Sequence, residues 1–199
     1  MSIRGPGDMQ AVVIGASAGG VDALGELLPA LRPQCRAVVL VVMHIPRRRP
    51  SLLAGLFAPR CAVPVVQAED KQPALPGTVY FAPPDYHLLV DAAADGSPQL
   101  SLSVDGPVHY SRPSIDVLFE SAAEFWGPCL MGVILTGANE DGVEGLAGVA
   151  RAGGITVVQD PAEALAPTLP AGAVRTGLAQ QVLPVAGIRR LFARVGVKP

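Results

Sequence analysis

The run Ala11-Val-Val-Ile14 is apolar at every position, rich in β-branched residues, and stops at a glycine cluster. A strand apolar on both of its faces has to be covered on both, which is the condition of a parallel sheet packed between helices. Similar runs follow at Ala37 to Met43, Leu130 to Leu135 and Ile155 to Val158, with shorter ones at Val63 to Val66 and Thr78 to Ala82. Between them apolar residues recur at helical spacing. Val21, Leu24, Leu28 and Leu31 form one set, closed by Pro33, and Leu52, Leu53, Leu56 and Phe57 another. Further helices are expected at Val143 to Ala152 and Gly187 to Val195. This alternation predicts an α/β fold with a largely parallel sheet.

The middle of the chain breaks the pattern. His87 to Asp91 and Leu100 to Val104 flank the turn-forming stretch Ala-Asp-Gly-Ser-Pro, and the three pieces predict an inserted antiparallel hairpin. Ser111-Arg-Pro-Ser114 then opens a helix to about Phe125, with Pro113 near its first turn. The 199 residues fit one domain over 11–199 after a short N-terminal tail over 1–10, and no repeat or long linker divides them.

Charge and cysteine content narrow the function classes. A net charge of −2 and a pI near 5.9 point away from nucleic acid and from anionic membranes. The one dense basic spot, Arg47-Arg48-Arg49, reads as a solvated loop or as a docking site for an acidic partner. Cys35, Cys61 and Cys129 are too widely spaced for a zinc pattern or a redox pair, so reduced thiols in a cytoplasmic protein are expected. The first ten residues lack the apolar region of a signal peptide, and no apolar run is long enough to span a bilayer.

Candidate chemistry begins at Gly15-Ala-Ser-Ala-Gly-Gly20, between the first strand and the first helix. A phosphate-binding G-x-G-x-x-G turn would need glycine where Ser17 stands. The segment does satisfy G-x-S-x-G, a nucleophile elbow, although a plain packing turn fits it too. Free N–H groups at the following helix N-terminus suit a developing oxyanion. A serine nucleophile needs a base, and His44, His87 and His109 are the candidates. His44 directly follows the second strand, whereas His87 and His109 belong to the hairpin region and suit surface or packing roles. Asp141 follows the strand Leu130 to Leu135 and could orient a histidine or simply cap the next helix. Ser17, His44 and Asp141 thus all fall just after the C-terminal ends of expected strands, where an open α/β sheet binds its ligands. An ordinary α/β-hydrolase arrangement would need another pair, such as Asp70 with His87, and nothing places that pair at the right edge.

These residues carry a resemblance. Val13-Ile-Gly-Ala-Ser-Ala-Gly-Gly20 is similar to the nucleophile segment of chemotaxis protein-glutamate methylesterases, the CheB catalytic domain. His44-Ile-Pro46, Ala68-Glu-Asp70, Phe81-Ala-Pro83, Asp85-Tyr-His87, Arg112-Pro-Ser-Ile-Asp-Val-Leu-Phe119, Gly132-Val-Ile-Leu-Thr-Gly137 and Asp141-Gly142 match in order. The resemblance implies a doubly wound sheet with helices on both faces, and hydrolysis of γ-glutamyl methyl esters on the cytoplasmic part of methyl-accepting chemoreceptors. Many members also deamidate receptor glutamines. It further implies Ser17 as nucleophile, His44 as base, Asp141 as its orienting acid, backbone N–H groups of Ala18 and Ala138 as the oxyanion site, and no metal or organic cofactor.

Several positions depart from the family pattern. Ala18 stands where threonine is common, Met43 where glutamine is common, and Ala138 where methionine is common. Ala171-Gly172 replaces an Arg-Glu pair. The receiver domain of familiar members is not expected here, since the first core strand begins near Ala11. A stand-alone receptor methylesterase is the first expectation. An esterase of the same fold on another substrate and a non-catalytic signalling module are the alternatives.

Overall fold

The structure, a computed structural model, describes residues 5–45 and 50–197. Arg47-Arg48-Arg49, with the docking role considered for it, lies outside the described residues. In chain order the elements are β1 (Ala11–Ala16), α1 (Gly20–Leu27), β2 (Val38–Met43), α2 (Leu53–Phe57) and β3 (Val65–Gln67). Then come β4 (Val79–Phe81), β5 (His87–Ala92), β6 (Pro98–Ser103), α3 (Ile115–Trp126) and β7 (Leu130–Ile134). The chain closes with α4 (Val143–Arg151), β8 (Ile155–Gln159), α5 (Thr168–Arg175), β9 (Gln181–Leu183) and α6 (Val185–Phe192).

Seven strands form one sheet in the order β3-β4-β2-β1-β7-β8-β9, and every neighbouring pair is parallel. The apolar runs explain why. Val12, Ile14, Val39 and Val41 point into one core with Leu24 and Leu27 of α1, Phe57 of α2, and Ile188 and Phe192 of α6. The alternate residues Val13, Leu40 and Val42 point into the other, with Ile115, Leu118 and Phe119 of α3, Leu146 and Val149 of α4, and Leu169 of α5. Each such side chain, fully buried, contributes about 1.5–3 kcal/mol, and the helices of both layers are held by this burial. The sheet is therefore doubly wound. The expected hairpin is present as β5–β6, antiparallel from His87↔Ser103 to Ala92↔Pro98, and its Leu88, Val90 and Leu100 join the second core.

Some expectations needed correction. The helix expected from Ser111 starts at Ile115, with Ser114 as N-cap accepting Val117 N–H at 3.4 Å. The preceding residues are used by a turn in which Val108 and Ser111 exchange backbone bonds of 3.1 and 2.8 Å. Val21 is 37% exposed, and α1 buries Ala23, Leu24 and Leu27. The last helix begins two residues earlier than expected, after Pro184. Cys35 is buried and Cys61 and Cys129 are half-buried; all three are free, and burial pushes the thiols of Cys35 and Cys61 up from their ordinary range. No helix among the described residues is long and apolar enough to cross a membrane.

Strand β1 occupies the pivotal position. The chain lays β2, β4 and β3 to one side of it and β7, β8 and β9 to the other. The order reverses there, so a crevice opens at the C-terminal ends of the central strands. Ser17 follows β1, His44 follows β2, and Asp141 ends the loop after β7.

Candidate active site

Hydrogen bonds continue the central ladder beyond the strands and fix the loop that carries Ser17. His44 N–H donates to Ala16 O at 3.1 Å, Leu135 N–H to Gly15 O at 2.9 Å, and Ser17 N–H to Thr136 O at 2.9 Å. The Thr136 hydroxyl donates to Ala18 O at 2.8 Å and accepts Ala166 N–H at 2.9 Å, so one side chain ties three segments together. Two glycines make the elbow possible. Gly19 has φ +81°, and a Cβ there would lie 2.8 Å from Leu165 Cβ. A Cβ on Gly15 would lie 2.4 Å from Ile115 Cγ2, so only glycine lets α3 approach β1 this closely.

Ser17 is half-buried and Ala18 exposed at the start of this loop. His44, on the neighbouring strand end, has a side chain 13% exposed, and its Nε2 lies 2.7 Å from Asp141 Oδ2. A carboxylate can only accept, so the ring presents Nε2–H to Asp141 and its lone pair is on Nδ1. The structure thus brings His44 and Asp141 into contact beside Ser17. Among the described residues no hydrogen bond joins the Ser17 hydroxyl to the ring, and such bonds commonly tighten only when substrate is bound.

Asp141 is fully buried and accepts four donors. Oδ2 takes His44 Nε2–H and Ile115 N–H at 2.8 Å; Oδ1 takes the Ser114 hydroxyl at 2.7 Å and Asp116 N–H at 3.2 Å. Burial alone would raise its pKa. The hydrogen bonds from His44, Ser114, Ile115 and Asp116 outweigh that and hold the carboxyl below the usual carboxylate range. The capping role considered for Asp141 is real but displaced. It caps α3, whereas α4, the helix that follows it, has Gly142 as N-cap.

Ser114 and Asp116 were visible in the sequence only as part of a motif, without a role. Asp116, 5% exposed, accepts Gly142 N–H at 2.9 Å and Gly145 N–H at 2.7 Å, which caps α4. Burial first, and then the Asp141 charge, push it up to about 6, against the bonds from Gly145 and Gly142 and the imidazole of His109.

Among the described residues the N–H groups of Ala18 and Ala138 donate to no other group, and both residues are exposed at the cleft. A Cβ on Gly137 would lie 3.1 Å from Ser17 Cβ, which shows how near the segment of Ala138 runs to the serine. Met43 is 8% exposed, and its sulfur packs against Gly20 at the start of α1. Beside Ala171-Gly172, Arg175 and Glu140 form an exposed ion pair at 2.6 Å.

The other two histidines do not join this group. His87 is 1% exposed; its Nδ1 accepts Ser114 N–H at 3.2 Å and its Nε2–H donates to Gly106 O at 3.1 Å. Asp70 instead accepts Leu102 N–H, so the alternative pair of Asp70 with His87 does not assemble. His109 is half exposed, with Nε2 3.6 Å from Asp116 Oδ2. Among the described residues no group of three or more His, Cys, Asp or Glu is placed to hold a metal ion.

Comparison with known proteins shows the family. The family model described as CheB methylesterase matches residues 12–192. A putative protein-glutamate methylesterase/protein-glutamine glutaminase of Leptospira interrogans is 40% identical over 186 residues, covering 94% of this chain and 94% of its own length. Protein-glutamate methylesterase/protein-glutamine glutaminase 2 of Caulobacter vibrioides is 38% identical; the match covers 90% of this chain but 52% of that longer protein. The crystal structure of the Thermotoga maritima CheB methylesterase catalytic domain superimposes with a TM-score of 0.89 at 31% identity, covering 97% of this chain and all of that one.

Proposed function

The chain belongs to the CheB methylesterase family, and on that premise we propose that it hydrolyses γ-glutamyl methyl esters on the cytoplasmic part of methyl-accepting chemoreceptors. Residues 11–199 act as the catalytic unit, in the cytoplasm, with no metal or organic cofactor. The observation that carries the reading is the 2.7 Å contact between His44 Nε2 and the buried Asp141 carboxylate, one strand away from Ser17.

The steps follow from that contact. His44 Nδ1 takes the proton of the Ser17 hydroxyl as Oγ attacks the ester carbonyl. The imidazolium so formed is held by Asp141, whose four donors keep it ionised and correctly turned. The oxyanion is received by Ala18 N–H and Ala138 N–H, as hydrogen-bond donors that need no reorganisation. As the tetrahedral intermediate collapses, methanol leaves with the proton from His44, and Ser17 holds the glutamyl acyl group. Water, deprotonated by His44, then releases the free carboxylate. A glutamine side chain differs only in its leaving group, ammonia, so the same residues support deamidation. That Ala18 lacks a hydroxyl and Ala138 lacks a long side chain leaves the oxyanion site to the backbone.

The test is release of methanol from methyl-esterified receptor membranes, and of ammonia from unmodified receptors, by the purified chain. Methanol release by the wild type and none by Ser17→Ala is the expected result. A chain labelled at Ser17 by a serine-directed probe but inert on receptors would be an esterase for another substrate. A chain neither labelled nor active would be a non-catalytic module.

A further inference from the structure

Asp116 is a buried carboxylate that takes no part in the chemistry above. It stands at the second position of α3, yet its Oδ1 accepts two N–H groups of α4, from Gly142 and Gly145. The N-cap of α4 is glycine, which has no side chain with which to cap, so Asp116 supplies from another helix the acceptor that α4 lacks. Asp141, just before α4, returns the contact by accepting Ile115 N–H and Asp116 N–H at the start of α3. Each carboxylate thus caps the helix on which the other depends, and neither helix N-terminus can shift without opening both caps.

We propose that Asp116 is a positioning residue for the triad. Its hydrogen bonds hold the N-terminus of α4, and with it the segment 137–142 that carries Ala138 N–H and Asp141. The inference rests on the proposed roles of Ser17, His44 and Asp141.

The charged groups that face Asp116 are Asp141, from the segment before α4, and His109, from the turn before α3. Glu120 on α3 and Glu144 on the first turn of α4 are exposed to solvent. Burial and the Asp141 charge push the Asp116 carboxyl up to about 6, and protonation there weakens the acceptor that holds Gly142 N–H and Gly145 N–H.

Two variants of the full chain test the cap, with kcat and KM for receptor methanol release as the readout. Asp116→Asn keeps an oxygen that accepts Gly142 N–H and Gly145 N–H, and removes the charge. Its kcat is expected to stay close to the wild-type value, because both donors keep an acceptor. Asp116→Ala removes both, and its kcat is expected to fall roughly tenfold or more with little change in KM, a loss the Asn variant largely rescues. An Asn variant as impaired as the Ala variant would overturn the cap as the source of the effect. An Ala variant with the wild-type kcat would overturn the positioning role, and if the Ala variant fails to fold, Asp116→Ser is measured in its place with the same two outcomes. Ser17→Ala, run alongside, tests the underlying triad: its activity would sink that reading whatever Asp116 does.

Discussion

Replacing Asp141 by Asn changes one atom, and the structure allows its consequence to be worked out. Four donors converge on the carboxylate, two on each oxygen. An amide has one accepting oxygen, so two donors lose their acceptor and meet an NH₂ group. If the NH₂ takes the Oδ2 place, it faces His44 Nε2 and Ile115 N–H, and the ring must move its proton to Nδ1, which disables the base. If it takes the Oδ1 place, it faces the Ser114 hydroxyl and Asp116 N–H. The hydroxyl can turn to accept, so the second orientation is the better one. It still leaves Asp116 N–H buried against a donor, at about 1–3 kcal/mol, and gives up charge-assisted bonds of similar size. A total of roughly 2–4 kcal/mol corresponds to a melting temperature lower by about 5–15 °C in a chain of this size. In the second orientation His44 keeps its tautomer and loses only the negative charge that stabilises the imidazolium, so turnover is expected to fall, by less than the factor of roughly 10⁴ seen where the substitution imposes the wrong tautomer. Thermal unfolding by circular dichroism and methanol release together make the test. A variant with the wild-type melting temperature and the wild-type rate would refute both the four-donor geometry and the orienting role.

Other perturbations have equally definite outcomes. His44→Ala should lose activity as completely as Ser17→Ala, by a factor of roughly 10⁴ to 10⁶, while the far-ultraviolet circular dichroism spectrum stays unchanged. His87→Ala should act on stability instead: Ser114 N–H and Gly106 O lose their partner, and urea unfolding should show a cost of about 2–4 kcal/mol with Ser17 still reactive to a fluorophosphonate. Gly15→Ala should cost about 1–3 kcal/mol or more by forcing α3 off β1, seen as an earlier urea midpoint. Asp116 binds its proton more tightly folded than unfolded, so its contribution to stability falls as pH rises from about 4 to about 6. Asp141, held low, contributes stability above about pH 4 that is lost as pH falls through its folded value. Urea midpoints across pH should therefore show the Asn variant of Asp116 gaining on the wild type between about pH 4 and 6.

The parts of the fold legible in sequence are those whose signal is local. The fully apolar runs marked β1, β2 and β7, and with them the C-terminal ends where Ser17, His44 and Asp141 stand. Shared strand ends imply one crevice for the three residues, and the pairing of His44 with Asp141 is what the family resemblance implies. What stayed hidden is non-local. The caps exchanged between residues 116 and 142, and between 141 and 115, join segments about 25 positions apart and leave no periodicity. Helix α5 carries Pro170 and Gly172, two residues that weaken any helical signal in the sequence. Pro170 sits in the first turn, where its missing N–H would have had no intrahelical partner. Strand β9 is three residues at a sheet edge, too short to show alternation. Ser111 and Ser114 both suited an N-cap by composition. The turn at 108–111 decides between them, and its left-handed His109 and Tyr110 are not foreshadowed by glycine.

The central claim is that His44, turned by Asp141, activates the Ser17 hydroxyl. Mass spectrometry of the chain after treatment with a fluorophosphonate tests it most directly, since the reagent forms a bond only with an activated hydroxyl. A single adduct is expected on the peptide containing Ser17 in the wild type, and none in His44→Ala. An adduct on another serine, or labelling of Ser17 that persists without His44, would contradict it.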